Sequence, residues 1–116
     1  MTAVPSYCPD EGDIIFLDFD PQAGREQARR RPALVLSPRS YNSKTGLAIV
    51  CPITNQSKGY PFEVPLPAGA KVTGAVLSDH IKSLSWDARR SSYLCDASAE
   101  VVDDVRAKVK AVANIA

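Results

Sequence analysis

The sequence predicts a mainly β domain: a small barrel of short strands with one amphipathic helix packed on it at the C-terminus. Three observations carry this. All nine prolines and all six glycines of the 116 residues lie before residue 75, so the first two-thirds is cut into short segments and the last third runs on unbroken. The segments between these breakers are rich in β-branched and aromatic residues. Near the C-terminus the hydrophobic period lengthens from two to between three and four.

Asp13 to Phe19 reads as the first strand, stopped by the turn chemistry of Asp20-Pro21-Gln22-Ala23-Gly24. Residues 25–31 are polar and basic and read as a loop. Pro32 opens a second strand, Ala33 to Ser37, because proline is tolerated at a strand's first position. Pro38 to Gly46 is a connector with room for one helical turn. Leu47 to Ile53 is apolar on both faces, which places it centrally in a sheet. Thr54 to Pro61 is a second polar loop, and Phe62 to Leu66 alternates as an edge strand. Gly74 to Ser85 reads as two strands broken near Asp79-His80. Val102, Val105, Val109 and Val112 then mark a helix, capped by Asp96 or Ser98, with acids before bases as the macrodipole favours.

The length fits a single domain, residues 1–116, too small to enclose a deep site. Hydrophobic content of 45% and charged content of 23% are those of an ordinary globule. With a net charge of +1, no whole-molecule field draws nucleic acid in, so any such binding needs a local cluster. Cys8, Cys51 and Cys95 are odd in number and widely spaced, which argues against a disulfide framework and against zinc. Cys51 sits in an apolar run and reads as a small buried hydrophobe. Met1 to Pro9 does not read as a signal peptide, and no segment has the length of a membrane span. The expectation is a reduced, cytoplasmic protein.

The densest charge cluster spans residues 25–44: Arg25, Arg29, Arg30, Arg31, Arg39 and Lys44 against a single acid, Glu26. Arginine suits phosphate because its planar fork donates two parallel charge-assisted hydrogen bonds; composition alone favours a solvated loop. Asp18 and Asp20 flank Phe19 as a candidate metal pair, but no further ligand follows at suitable spacing, and pairing with the nearby arginines is the better reading. After the central strand, Asn55, Gln56 and Ser57 supply neutral donors and acceptors, Lys58 a cation and Tyr60 a flat face. That is the inventory for gripping a single-stranded base and its backbone. His80 is the chain's only histidine and reads as structural; one histidine excludes a two-histidine ribonuclease mechanism within one subunit.

Three blocks carry a resemblance. Gly12-Asp13 through Asp20-Pro21, with Glu26-Gln27 and Arg31-Pro32-Ala33-Leu34-Val35-Leu36-Ser37, is similar to the opening of the MazF/PemK toxins. Those are the RNA-cleaving members of bacterial toxin–antitoxin pairs. Cys51-Pro52-Ile53-Thr54 through Glu63-Val64 resembles that family's second block, and Asp79-His80-Ile81-Lys82-Ser83-Leu84-Ser85-Trp86 its third. The likeness implies an SH3-like barrel of five to seven strands with a C-terminal helix. It implies a homodimeric, metal-independent and cofactor-free endoribonuclease that cuts single-stranded RNA at a short, ACA-like sequence, leaving 2′,3′-cyclic phosphate and 5′-hydroxyl ends. The implied partner is a MazE-like antitoxin whose acidic tail fills the RNA groove.

By that resemblance the catalytic arginine falls on Arg31, the catalytic threonine on Thr54, and an acidic position needed for activity on Glu26. Asp18, Asp20, Arg29, Arg30, Asn55, Gln56, Ser57, Lys58 and Tyr60 are the candidate RNA contacts. Where close relatives carry Gly-His before the arginine, this chain has Arg29-Arg30. A non-catalytic SH3-like module that binds RNA or a peptide, and a gyrase-directed toxin of the same fold, are the alternatives. The presence of both Arg31 and Thr54 favours the enzyme.

Overall fold

Two antiparallel strands, β1 (Asp13–Asp18) and β2 (Arg30–Val35), pair with Ile14 opposite Leu34 and Asp18 opposite Arg30. The computed structural model describes residues 7–19 and 29–115. Asp20 and Glu26, in the segment joining these strands, lie outside the described residues. Helix α1 (Arg39–Thr45) follows and ends at Gly46, whose φ of 74° is the left-handed conformation that glycine adopts without steric penalty. Then come β3 (Leu47–Thr54), β4 (Glu63–Pro65), β5 (Ala75–Leu77), a 3-10 turn (Ser78–His80), β6 (Lys82–Ser85), β7 (Ser92–Asp96) and α2 (Ala99–Val112).

The strands form one antiparallel sheet in the order β4-β5-β3-β2-β1-β7, with β6 also on β3. The expected mainly β class with a C-terminal helix holds. The terminal strands β4 and β7 do not pair, so the sheet is not closed by a ring of hydrogen bonds. Alternation along the strands divides the core between two faces. Ile14, Leu34, Leu36, Cys51, Ile53, Val64 and Val76 pack with Val101 and Val105 of α2. Ile15, Leu17, Phe19, Ala33, Val35, Ala48 and Val50 pack with Tyr7, Leu84 and Trp86. Each fully buried aliphatic side chain contributes about 1.5–3 kcal/mol. Such double-sided burial is why β3 reads as a continuous apolar run.

Two prolines decide where pairing stops. The Leu36 N–H donates to the Ile49 carbonyl at 2.8 Å, so even-numbered β2 residues turn their N–H toward β3. Pro32 is even and has none to give. The β2–β3 ladder accordingly ends at Ala33–Pro52. On the other edge of β3, Leu47 to Val50 pair with β6 and Ile53-Thr54 with β5. Between those stretches the register slips by three residues, the 3-10 turn being the insertion. Pro52 faces this gap, again without an N–H.

Several boundaries differ from the sequence reading. β2 begins at Arg30, so Arg30 and Arg31 are strand residues, and Pro32 is the third residue of β2, opposite Phe16. Pairing of Arg30 and Arg31 with Asp18 and Leu17 outweighs their polar composition. The connector after Pro38 is a seven-residue helix. The last third is not unbroken: turns at residues 86–90 lead into β7, which pairs with β1. Arg90 takes a φ of 54° there, a conformation usually signalled by glycine. In α2, Ser98 Oγ accepts the Val101 N–H at 3.3 Å. The buried stripe centres on Val101 and Val105, leaving Val112 exposed.

Candidate active site

A groove of about 770 Å³ opens where β2 and β3 cease to pair. Carrying the β2–β3 register two residues beyond its last pair sets Arg31 across from Thr54, and both line the groove. Alternation puts Arg30, Pro32 and Ile53 on the opposite face of these strands. They also line the groove, because it crosses the strand ends where both faces meet. Asn55, Gln56, Lys58 and Tyr60 of the following loop form one flank. Phe16, Glu63, Leu77, Asp79 and His80 complete the lining.

Thr54 is buried, and its Oγ1 accepts the Gln56 N–H at 3.0 Å. That bond fixes the hydroxyl without using its proton, which is left to donate. Arg30 is braced three ways: over the Phe16 ring at 5.2 Å, against Asp18 Oδ1 at 3.3 Å and against Ser92 Oγ at 3.3 Å. Asp18 also accepts from Arg90 Nε at 2.9 Å, and the Arg90 hydrogen bond leads in holding the Asp18 carboxyl below its ordinary range. Asp18 is not among the groove-lining residues. It ties the start of β2 to the turn before β7.

The loop after Thr54 is organised by one carboxylate. Glu63 is only 9% exposed. It accepts from Ser57 Oγ at 2.7 Å, from the Lys58 N–H at 3.1 Å and from the Gly59 N–H at 3.0 Å. These bonds, the Ser57 hydroxyl first, hold the Glu63 carboxyl below its ordinary range. With the backbone gathered in this way, the Lys58 and Tyr60 side chains border the groove, and Tyr60 is 60% exposed, a flat face on which a base can stack. Asn55 Oδ1 accepts from Thr73 Oγ1 at 3.1 Å.

Of the site residues expected from sequence, Arg30, Arg31, Thr54, Asn55, Gln56, Lys58 and Tyr60 are brought together. Ser57 acts behind the groove, through Glu63. Arg29 is exposed at a φ of 66° and is not part of the lining. Sequence reasoning passed over Phe16, Glu63, Leu77 and Asp79, and it took His80 as structural. Glu63 sits in an alternating strand and gives no signal of its loop contacts. His80 carried one signal, its being the sole histidine. Among the described residues no three His, Cys, Asp or Glu side chains converge as metal ligands. Burial pushes the Cys51 thiol up to about 12, in keeping with a packing role.

The arrangement can hold a strand of nucleic acid. Arg30, Arg31 and Lys58 offer cations to phosphates, and Glu63 of β4 is already engaged by the loop's N–H groups and a hydroxyl.

The sequence matches a family described as PemK-like, MazF-like toxins of type II toxin–antitoxin systems, over residues 10–113. It is 48% identical over 106 residues to the endoribonuclease toxin MazF of Escherichia coli K12, covering 91% of this chain and 95% of that protein. The fold superposes on the crystal structure of MazF from Deinococcus radiodurans with a TM-score of 0.92 and 52% identity, covering 95% of this chain and all of that one. A MazE–MazF crystal structure from the same organism matches with a TM-score of 0.85 and 46% identity, covering 96% of this chain and all of the matched chain.

Proposed function

From the premise that this chain belongs to the PemK/MazF toxin family and is an endoribonuclease of a toxin–antitoxin system, we propose that its Arg31–Thr54 groove cuts single-stranded RNA by attack of the RNA's own 2′-hydroxyl. The observation that carries this reading is the convergence of Arg31 and Thr54, from adjacent strands, on one groove. Internal attack needs no activated water and no protein nucleophile. It needs alignment, and hydrogen bonds to the phosphoryl oxygens as charge builds on them. Arg31 supplies a guanidinium fork and Thr54 a hydroxyl proton for those oxygens. The products are a 2′,3′-cyclic phosphate and a 5′-hydroxyl, with no metal or cofactor taking part. Glu26 orients Arg31 or assists proton transfer.

Arg30, Lys58, Asn55, Gln56 and Tyr60 bind the RNA, with an ACA-like site as the preferred sequence. Residues 1–116 act as one domain, in a cytoplasmic homodimer. Among the described residues no helix is long and apolar enough to cross a membrane. A cognate, MazE-like antitoxin blocks the groove with an acidic tail; the likeness to the Deinococcus MazE–MazF complex supports such a partner. Free toxin thereby halts translation and growth.

The test is digestion of a long defined RNA, with both new ends sequenced and their phosphates analysed. Cutting persists in excess chelator. Arg31→Ala lowers the rate by at least about 10²–10³-fold, the usual loss when one oxyanion donor is removed, with an unchanged circular dichroism spectrum. A near wild-type rate in that variant refutes the site.

A further inference from the structure

We propose that His80 is a catalytic residue: its imidazole takes the proton from the attacking 2′-hydroxyl. The inference rests on the preceding reading that the RNA's own hydroxyl is the nucleophile. It places the general base on the interrupted edge of β3 rather than in the arginine cluster.

The three-residue slip between the β3–β5 and β3–β6 registers forces residues 78–80 out of the ladder. Asp79 and His80 thereby border the same groove as Arg31 and Thr54. The His80 side chain is 28% exposed, within reach of a ligand in the groove, and its Nε2 lies 4.0 Å from Asp79 Oδ1. At 4.0 Å this contact is longer than a hydrogen bond, so either ring nitrogen can accept the proton. The Asp79 carboxylate then stabilises the imidazolium that forms.

Among the described residues, the charged groups that line the groove are Arg30 and Arg31 from β2, Lys58 from the loop, Glu63 from β4 and Asp79 beside His80. Arginine and lysine are already protonated at neutral pH and accept nothing further. Glu63 is occupied by the loop's N–H groups and the Ser57 hydroxyl. Lys82 follows on β6, and α2, packed behind the 3-10 turn, has Asp104 and Lys108 paired with each other at 3.7 Å. Histidine is the side-chain type that exchanges a proton near neutrality, and His80 is the only one in the chain.

The step balances without a co-reactant other than water. The 2′-O–H proton passes to the His80 imidazole as the 2′-O–P bond forms and the P–O5′ bond breaks. The departing 5′-oxygen takes a proton from a water molecule. The imidazolium returns its proton to the hydroxide so produced.

The experiment uses the full chain, a short RNA with one cleavable linkage, and the same RNA with sulfur in place of the bridging 5′-oxygen. For the wild type, kcat rises with pH and then levels, as a single deprotonated base requires. His80→Gln lowers kcat about 10²-fold, within the range usual for loss of a general base, while KM changes less than threefold and the inflection disappears. The defect persists on the sulfur-bridged RNA, because a thiolate leaves without needing a proton. Added imidazole restores part of the rate to His80→Ala. Should neither variant fold, diethyl pyrocarbonate on the wild type still reports on this single histidine: it inactivates, RNA protects, and hydroxylamine restores activity. The proposal is overturned if both variants cut within severalfold of wild type, if acylated protein stays active, if the sulfur substrate erases the defect, or if Glu26→Gln removes the inflection and His80→Gln does not. Wild-type products lacking a cyclic phosphate sink the underlying reading instead, whatever the His80 variants do.

Discussion

The two edges of β3 are built differently, and the groove draws on both. Toward β2 the pairing is regular through Ala33–Pro52, and the positions two residues further along present Arg31 and Thr54. Toward β5 and β6 the pairing is broken by the 3-10 turn, which presents Asp79 and His80. A regular ladder sets groups at fixed cross-strand distances, which suits hydrogen bonds to a phosphate. A break frees side chains from the in-and-out alternation, letting consecutive residues reach one groove. Proline marks both transitions, because a missing N–H is tolerated only where the ladder has no use for it.

The regular edge is tested most sharply at Thr54. Thr54→Val keeps the β-branched shape and removes the hydroxyl. The expected rate loss is about 10²-fold with little change in melting temperature, as for loss of one donor to developing negative charge. Thr54→Ser should cut within severalfold of wild type. If Thr54→Val does likewise, the regular edge contributes only Arg31, and the contrast between the edges narrows to one side chain.

Next in size is the joint between the edges. Gly74 precedes β5 at a φ of 116°, and a Cβ built on it would stand 2.2 Å from the Thr54 carbonyl oxygen. That oxygen is backbone and cannot turn aside. Gly74→Ala therefore combines backbone strain with overpacking, together about 3 kcal/mol. For a domain of this size that is roughly 10–20 °C in melting temperature. The folded fraction should cut about tenfold slower, a loss near 1.4 kcal/mol from displacement of the β3 end. Calorimetry and single-turnover kinetics measure the two effects. A destabilised variant with an unchanged rate would mean that Thr54 keeps its place independently of β5.

The sequence displays the regular edge far better than the broken one. Double-sided burial wrote β3 as an unbroken apolar run, and Val102, Val105 and Val109 gave α2 its period. The blocks around Arg31 and Thr54 stood out by resemblance. Strand β7 was invisible because its five residues are half exposed and its preceding turn uses Arg90 where glycine is usual. Arg30 looked like loop because its partners are distant in sequence: Asp18 across the hairpin and Ser92 near the other end of the chain. The groove roles of His80 and Glu63 depend on a register slip and on backbone N–H directions, neither of which composition encodes.

The smallest expected effect lies one strand beyond the broken edge, at Glu63 on β4. Glu63→Gln keeps the shape and removes the charge that gathers the N–H groups of Lys58 and Gly59. KM should rise up to about tenfold, the weight of one charge-assisted hydrogen bond's worth of order in the binding loop, with kcat nearly unchanged. The pH dependence has a defined sign. Because the folded protein holds this carboxyl below its unfolded value, its support for the loop is complete above the ordinary glutamate range and fades as pH falls through the lowered value. Wild-type affinity for RNA should therefore weaken at acid pH through this group, and Glu63→Gln should lack that component. If kcat falls instead and KM holds, the loop acts on the reacting phosphate itself, and the division between a binding flank and a chemical centre has to be redrawn.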